Sequence, residues 1–298
     1  MFEPRGPHPE ARFLEAGKLP PYKDTILATN KDSLINVATI HAMILHPHPP
    51  GWVAIPQAAH AMLAFQIADH WGNRMTPRPG PRAEVLGAVL LHDSGWDARE
   101  EPPALDPEGL PLAFDTWPEG ERETLWTAAV ERAALRGRYP AYLVSHHVSM
   151  LASRFGTLPH DAFLAAEEHR RAALRTDLER DPRYAQVFRT GGDDVNRAVV
   201  RTADAIAVHL ARGTVGCVAL PDVPQRGGPA AIELRCIGDR TYRLRPWPLA
   251  GRRLDLVAEG RALPTERFAD EDGLHRAWAV APTLRLSWTL LPTGEPAD

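Results

Sequence analysis

The chain has 298 residues, 44% of them hydrophobic, enough for one large domain or two ordinary ones around a sizeable core, and wholesale disorder is excluded. A formal net charge of −4 gives no global reason to bind nucleic acid or an acidic membrane surface. Two cysteines, Cys217 and Cys236, make no disulfide framework, no apolar run approaches the roughly 20 residues that span a bilayer, and the N-terminus lacks a signal-like stretch, so a cytoplasmic protein is expected.

Residues 1–42 carry Pro4, Pro7, Pro9, Pro20 and Pro21 and little periodicity beyond Ser33–Ala38. They read as an unstructured extension, with Met43 as an alternative natural start. Met43–His46 and Trp52–Ile55 flank a Pro-Pro-Gly turn, a hairpin signal. Pro56 then opens a helix through Trp71, in which Leu63, Ala64, Ile67 and Trp71 recur at helical spacing and His60 shares their stripe.

A second helix over 82–93 runs apolar into His92-Asp93 and stops at Gly95. Residues 97–120 form a long loop rich in proline and acids, a length more often functional than accidental, and suited to a lid. Helices follow over 121–136, over 140–155 with His146-His147, and over 160–180, a charged segment that places His160 and His169 at the surface. Gly191-Gly192 breaks the chain before a helix over 193–212, with Asp193 as N-cap, Gly213 as the stop and Asp204 in its apolar stripe.

Past Gly213 the period changes to two. Ile232–Cys236, Tyr242–Arg245, Leu254–Val257 and Leu284–Trp288 alternate as antiparallel strands with one wet face, with a short helix over Leu274–Ala279. The expected class is α+β: a mainly α-helical bundle over 43–213, and a small antiparallel sheet from 214–298 packed on it, which the N-terminal hairpin could join.

Four of these helices present potential ligands from apolar faces: His60, His92 with Asp93, His147 and Asp204. A buried carboxylate is costly unless paired or holding a metal. His147 has Leu143, Val144, Met150 and Leu151 one turn away on either side and so points inward, while the adjacent His146 diverges by about 100°. Singly, each has a plainer role: a satisfied core histidine, a helix-to-helix ion pair at Asp204, a capping pair at His92-Asp93. Together they suit a divalent transition metal, Mn, Fe, Zn, Co or Ni.

The ordered set His60, His92-Asp93, Asp204, with His147 as a further ligand, resembles the HD-domain superfamily of metal-dependent phosphohydrolases. From Met43 onward the chain also looks like an uncharacterised bacterial family of unknown function related to it. That likeness lies in Gly51–Gln57 before His60, His92–Trp96, Leu105-Asp106-Pro107 followed by Pro111 and Phe114, and Pro246-Trp247-Pro248. The resemblance implies an HD-like bundle with His60, His92, Asp93 and Asp204 as metal ligands. Two-metal members supply two more histidines between the HD pair and the last Asp. Here only His147 is a good candidate, so one metal is expected, with a second admitted.

The implied chemistry is hydrolysis of a phosphate ester or nucleotide by a metal-activated water. Asp97 is the candidate general base, Trp96 a candidate pocket wall or stacking partner, and Arg154 and Arg201 candidate cations for a phosphorylated small molecule. A homo-oligomer is compatible with this. Two other classes compete: an HD-type di-iron oxygenase, which needs more ligands than are evident, and a non-catalytic metal-stabilised binding or sensor protein. No phosphate-cradling or dinucleotide-type glycine loop appears, which disfavours ATP-driven and NAD chemistry.

Overall fold

A computed structural model describes residues 43–97, 104–155 and 159–294. The predicted extension over 1–42 and residues 98–103 of the predicted loop lie outside them. The described residues form one unit.

Strands β1 (Met43–His48) and β2 (Gly51–Pro56) form the hairpin, with His48 opposite Gly51. The remaining strands are β3 (Cys217–Val223), β4 (Ala230–Gly238), β5 (Thr241–Arg245), β6 (Leu254–Leu263) and β7 (Thr283–Pro292). All seven belong to one sheet in the order β1-β2-β6-β7-β5-β4-β3. The mainly α-helical bundle carrying a small antiparallel sheet, expected from sequence, is therefore corrected: among the described residues a seven-stranded mixed sheet stands beside eight helices, so the sheet is a major layer of the fold and not an appendage to a bundle. Two features make the difference. β2 pairs with β6 from Trp52↔Leu263 to Ala54↔Arg261, which fuses the hairpin to the C-terminal strands. β5 and β7 run parallel, from Thr241↔Thr289 to Leu244↔Pro292.

Alternation explains the buried face. Leu254, Leu256 and Ala258 of β6, and Leu286, Trp288 and Leu290 of β7, are buried on alternate positions, each large apolar side chain contributing roughly 1.5–3 kcal/mol. β3 escaped the pattern reading because Pro221 and exposed Ala219 interrupt its alternation.

The helices are α1 (Gln57–Asp69), α2 (Arg82–Leu91), α3 (Glu119–Ala134), α4 (Arg138–Phe155), α5 (Asp161–Leu178), α6 (Pro182–Arg189), α7 (Gly192–Ala211) and α8 (Glu271–Val280). α6 was not expected, although its signal is plain: the Asp181 side chain accepts from the Arg183 amide at 2.9 Å and Pro182 sits at the first position. A single apolar core joins α1, α2, α4 and α7 to the sheet through Ile67, Val89, Val144, Ile206, Leu256 and Trp288.

α7 starts from Gly191 at φ 70°, not from Asp193, which lies in its first turn and pairs with Arg197. Its end is as expected at Gly213. With φ +65°, Gly213 donates to Leu210 O at 3.0 Å, and Thr214 N donates to His209 O at 3.0 Å, a Schellman closure. A Cβ on Gly213 would also meet His46 and Pro47. Buried His46 bonds the Ala211 carbonyl through Nδ1 at 2.9 Å, fastening β1 to the end of α7.

The described part of the predicted lid is fastened rather than free. Phe114 N donates to Met43 O at 3.1 Å and Phe268 N to Gly109 O at 2.8 Å, while Asp106 Oδ1 accepts from the amides of Glu108 and Leu110. Among the described residues, no helix is long and apolar enough to cross a membrane.

Candidate metal centre

α1 carries His60 on its buried stripe with Leu63, Ala64 and Ile67. α2 ends at Leu91, and its last turn solves a geometric problem. Adjacent residues on a helix point about 100° apart, yet His92 and Asp93 must converge. His92 still has helical backbone, whereas Asp93 turns to φ −110°, ψ 13° and begins a 3-10 turn over Ser94–Trp96. Gly95 lets that turn press against α3: a Cβ there would lie 1.9 Å from Leu125 O.

Asp204 Oδ1 lies 3.0 Å from His60 Nε2 and 3.3 Å from His92 Nε2. Asp93 Oδ2 lies 3.2 Å from His92 Nε2 and 3.6 Å from His60 Nε2. One ligand atom from each of these four residues falls within 4.8 Å of all the others, and the four could hold a metal ion. α4 adds His147, whose Nε2 is 3.5 Å from Asp204 Oδ2 and whose ring is 5.0 Å from that of His92. The histidine side chains are at most 1% exposed and the two carboxylates 13–14%.

The hydrogen bonds test whether a metal fits. His92 Nδ1 is 2.6 Å from Val89 O, and a carbonyl only accepts, so Nδ1 carries a proton. A neutral His92 therefore turns the bare Nε2 lone pair toward two carboxylate oxygens. Acceptor facing acceptor is repulsive unless a cation or a second proton lies between them. A backbone carbonyl on the far nitrogen is the usual arrangement for a ligating histidine. His147 points the same way, since among the described residues neither of its ring nitrogens has a hydrogen-bond partner. Metal–ligand bonds of about 2.0–2.2 Å place opposed ligands about 4 Å apart, close to the span of this group.

Without a metal, the charges adjust to each other. Burial alone would push His92 down, but the adjacent charges of Asp93 and Asp204 outweigh it and hold the imidazole well above the usual histidine range. Burial alone would raise Asp204 and Asp93. Hydrogen bonds from His60 and His92 hold Asp204 well below the usual carboxylate range, and the His92 charge lowers Asp93. Burial pushes His147 down to about 4, which keeps it neutral and ligand-competent near neutrality.

The remaining sequence candidates lie around this centre. Asp97 caps the 3-10 turn, 3.8 Å from Arg132 Nη1; burial raises its carboxyl, Arg132 lowers it, and Asp93 raises it again. Trp96 stacks edge-on against Trp117 at 5.3 Å. Arg154 is exposed in the last turn of α4, and Arg201 lines a cleft that also reaches His147. His146 turns away from the centre onto the Tyr142 ring, 4.6 Å off, and borders the same cleft. His160 is not at the surface. It is buried against Trp126, with Nδ1 2.6 Å from Glu123. Two arginines in the cleft, Arg171 and Arg197, were missed. Arg171 sits in the run Glu167-Glu168-His169-Arg170-Arg171, which reads as a solvated face.

The family model described as "Protein of unknown function (DUF3891)" matches residues 43–265, and the chain belongs to that family. No curated protein and no solved structure matches the chain.

Proposed function

We propose that this member of a family without an assigned function is an HD-type metal-dependent hydrolase of phosphate esters or nucleotides, with His60, His92, Asp93 and Asp204 as metal ligands and His147 as a fifth. The observation that carries the metal is the His92 lone pair held against two carboxylates by the Val89 carbonyl. The order of the ligands along the chain, on α1, the end of α2, α4 and α7, supports the HD-type reading. Three imidazoles with two carboxylates suit Mn, Fe, Zn, Co or Ni.

When bound, a divalent ion would lower the pKa of a coordinated water and polarise a phosphoryl oxygen. The chain's own groups do the rest. His92 and Asp93 are held in register by the 3-10 turn, so no ligand has to be recruited from a free loop. Asp97, its carboxyl raised by burial, is the proposed base for the attacking water. Arg201 supplies positive charge on the His147 side, where a phosphate would enter.

The test is phosphate release from a panel of nucleotides and phosphomonoesters by protein loaded in turn with each of the five metals. Hydrolysis with at least one metal, lost in Asp204→Ala, is expected. About one metal per chain with no turnover of any phosphoester would overturn the hydrolase and leave a metal-stabilised binding protein.

A further inference from the structure

We infer that the cleft walled by α4, α5 and α7 binds a non-reacting phosphate group of the substrate, held by Arg171, Arg197 and Arg201 beside the metal centre; this rests on the hydrolase reading above. The cleft has a volume of about 870 Å³, within the range of small-molecule sites. His147 forms part of its wall, so it continues directly from the metal ligands.

Helix geometry orders the charges. Arg197, Arg201 and Asp204 stand at i, i+4 and i+7 on α7, on one face. At about 1.5 Å of rise per residue, Arg201 lies roughly 4–5 Å and Arg197 roughly 10 Å along the axis from the metal-binding carboxylate. A substrate whose reacting phosphate sits at Asp204 thus meets a row of guanidiniums, and its second anionic group falls between Arg197 and Arg171 on α5.

Two of these guanidiniums are held by neutral groups. Arg201 donates to the carbonyls of Pro221 at 3.1 Å and Asp222 at 2.7 Å. Arg171 donates to Ser145 O at 3.2 Å, Ser145 Oγ at 3.1 Å and Ser149 Oγ at 2.5 Å. Their orientation is fixed while, among the described residues, neither charge has a carboxylate within ion-pair distance. Arg197 does pair, with Asp193 and Asp194, but its buried Nε–H has no acceptor among the described residues. Among the described residues the buried His146 Nε2 in the cleft wall has no partner, while His147 beside it belongs to the metal centre. Carboxylates border it too, at Glu168, Asp194 and Asp222, three against the three arginines, so the wall has no net cationic excess and recognition rests on how Arg171 and Arg201 are held.

The donors favour phosphate over carboxylate. A planar carboxylate is satisfied by a single guanidinium fork. Here guanidiniums come from two helices, α5 and α7, and a serine hydroxyl from a third, α4, more donors than one planar carboxylate takes. A tetrahedral phosphate has oxygens for all of them.

The experiment is calorimetric titration of inorganic phosphate into the full-length, metal-loaded protein and into metal-depleted Asp93→Ala. One phosphate per chain is expected in both. Arg171→Gln and Arg197→Gln should each weaken it at least tenfold in both backgrounds without changing bound metal in the otherwise wild-type protein. Because Arg171 also ties α5 to α4, Arg171→Lys, which keeps the charge and a donor to Ser149, separates lost recognition from lost fold: it should bind more tightly than Arg171→Gln. Phosphate binding that disappears in Asp93→Ala and ignores the arginines would overturn this inference and leave the hydrolase standing. So would tighter binding of malonate than of phosphate, or no phosphate binding at millimolar concentration. Arginine-dependent binding by a protein that hydrolyses nothing would sink the hydrolase and leave the cleft as a phosphate site without that substrate.

Discussion

Replacing Gly95 by alanine tests how rigidly the 3-10 turn presents Asp93. A Cβ built on Gly95 lies 1.9 Å from Leu125 O, 2.7 Å from Leu125 C and 3.1 Å from Leu125 Cα, all backbone atoms of α3. No rotamer change can relieve that clash. Carbon contacts below 3.0 Å are essentially never adopted, so the turn and α3 must separate by about 1.1 Å. Overpacking of this kind costs about 1–3 kcal/mol, which for a chain of this size lowers Tm by roughly 2–12 °C. The effect on the centre should be larger, because metal–ligand distances tolerate only about 0.2 Å and Asp93 is two residues from the displaced glycine. Gly95→Ala is expected to lose most of its bound metal in elemental analysis and to melt earlier by calorimetry. Gly87→Ala is the matched control. A Cβ there meets nothing within 4 Å, and helix propensity predicts a gain of up to about 1 kcal/mol. Wild-type melting and full metal content in Gly95→Ala would refute the claim that backbone contact with α3 positions the ligands.

Three further outcomes are expected. Asp93→Ala and His92→Ala should each reduce metal to background while keeping helical circular dichroism, and the Tm rise on adding metal at about 100 times Kd, worth about 2.7 kcal/mol in wild type, should vanish; full retention of metal in both would remove the centre. His147→Ala should lose more metal than His146→Ala, because only His147 faces Asp204; elemental analysis in the reverse order would contradict the helix phase. Burial pushes His46 below its ordinary value of 6.5. The unfolded chain therefore takes up a proton near pH 6.5 that the folded chain refuses, and stability complete above that pH is lost as pH falls. Melting between pH 7 and 5 should consequently fall less steeply in His46→Gln than in wild type, and identical slopes would show that His46 carries none of the acid sensitivity.

The ligand-bearing helices were legible because each puts its polar residue on an apolar stripe, a local signal that needs no knowledge of the neighbours. His60 among Leu63, Ala64 and Ile67 is the plainest case. The convergence of His92 and Asp93 was not legible in the same way, since it depends on where α2 unwinds. The sheet was read in pieces. Strands with clean alternation were visible, but β3 carries Pro221 and was not, and no local pattern announces that β5 will lie parallel to β7 or that Trp52 will find Leu263. The cleft was hardest. Arg171 and Arg197 sit among charged neighbours, so periodicity assigns them to solvent, and only the packing of α4, α5 and α7 turns them inward. His160 failed for the same reason, its burial resting on Trp126 and Glu123 from a distant helix.

The pairing of β2 with β6 also sets an order of events during synthesis. Every ligand of the centre has been translated once Asp204 emerges, yet the edge of β2 has no partner until Arg261–Leu263 arrives, about 200 residues after β2 itself. Contacts this far apart in sequence carry a high loop-closure cost and fold slowly. A nascent chain therefore carries its histidines and aspartates through the ribosome exit as an incomplete assembly, with an unpaired strand edge of the kind that invites aggregation.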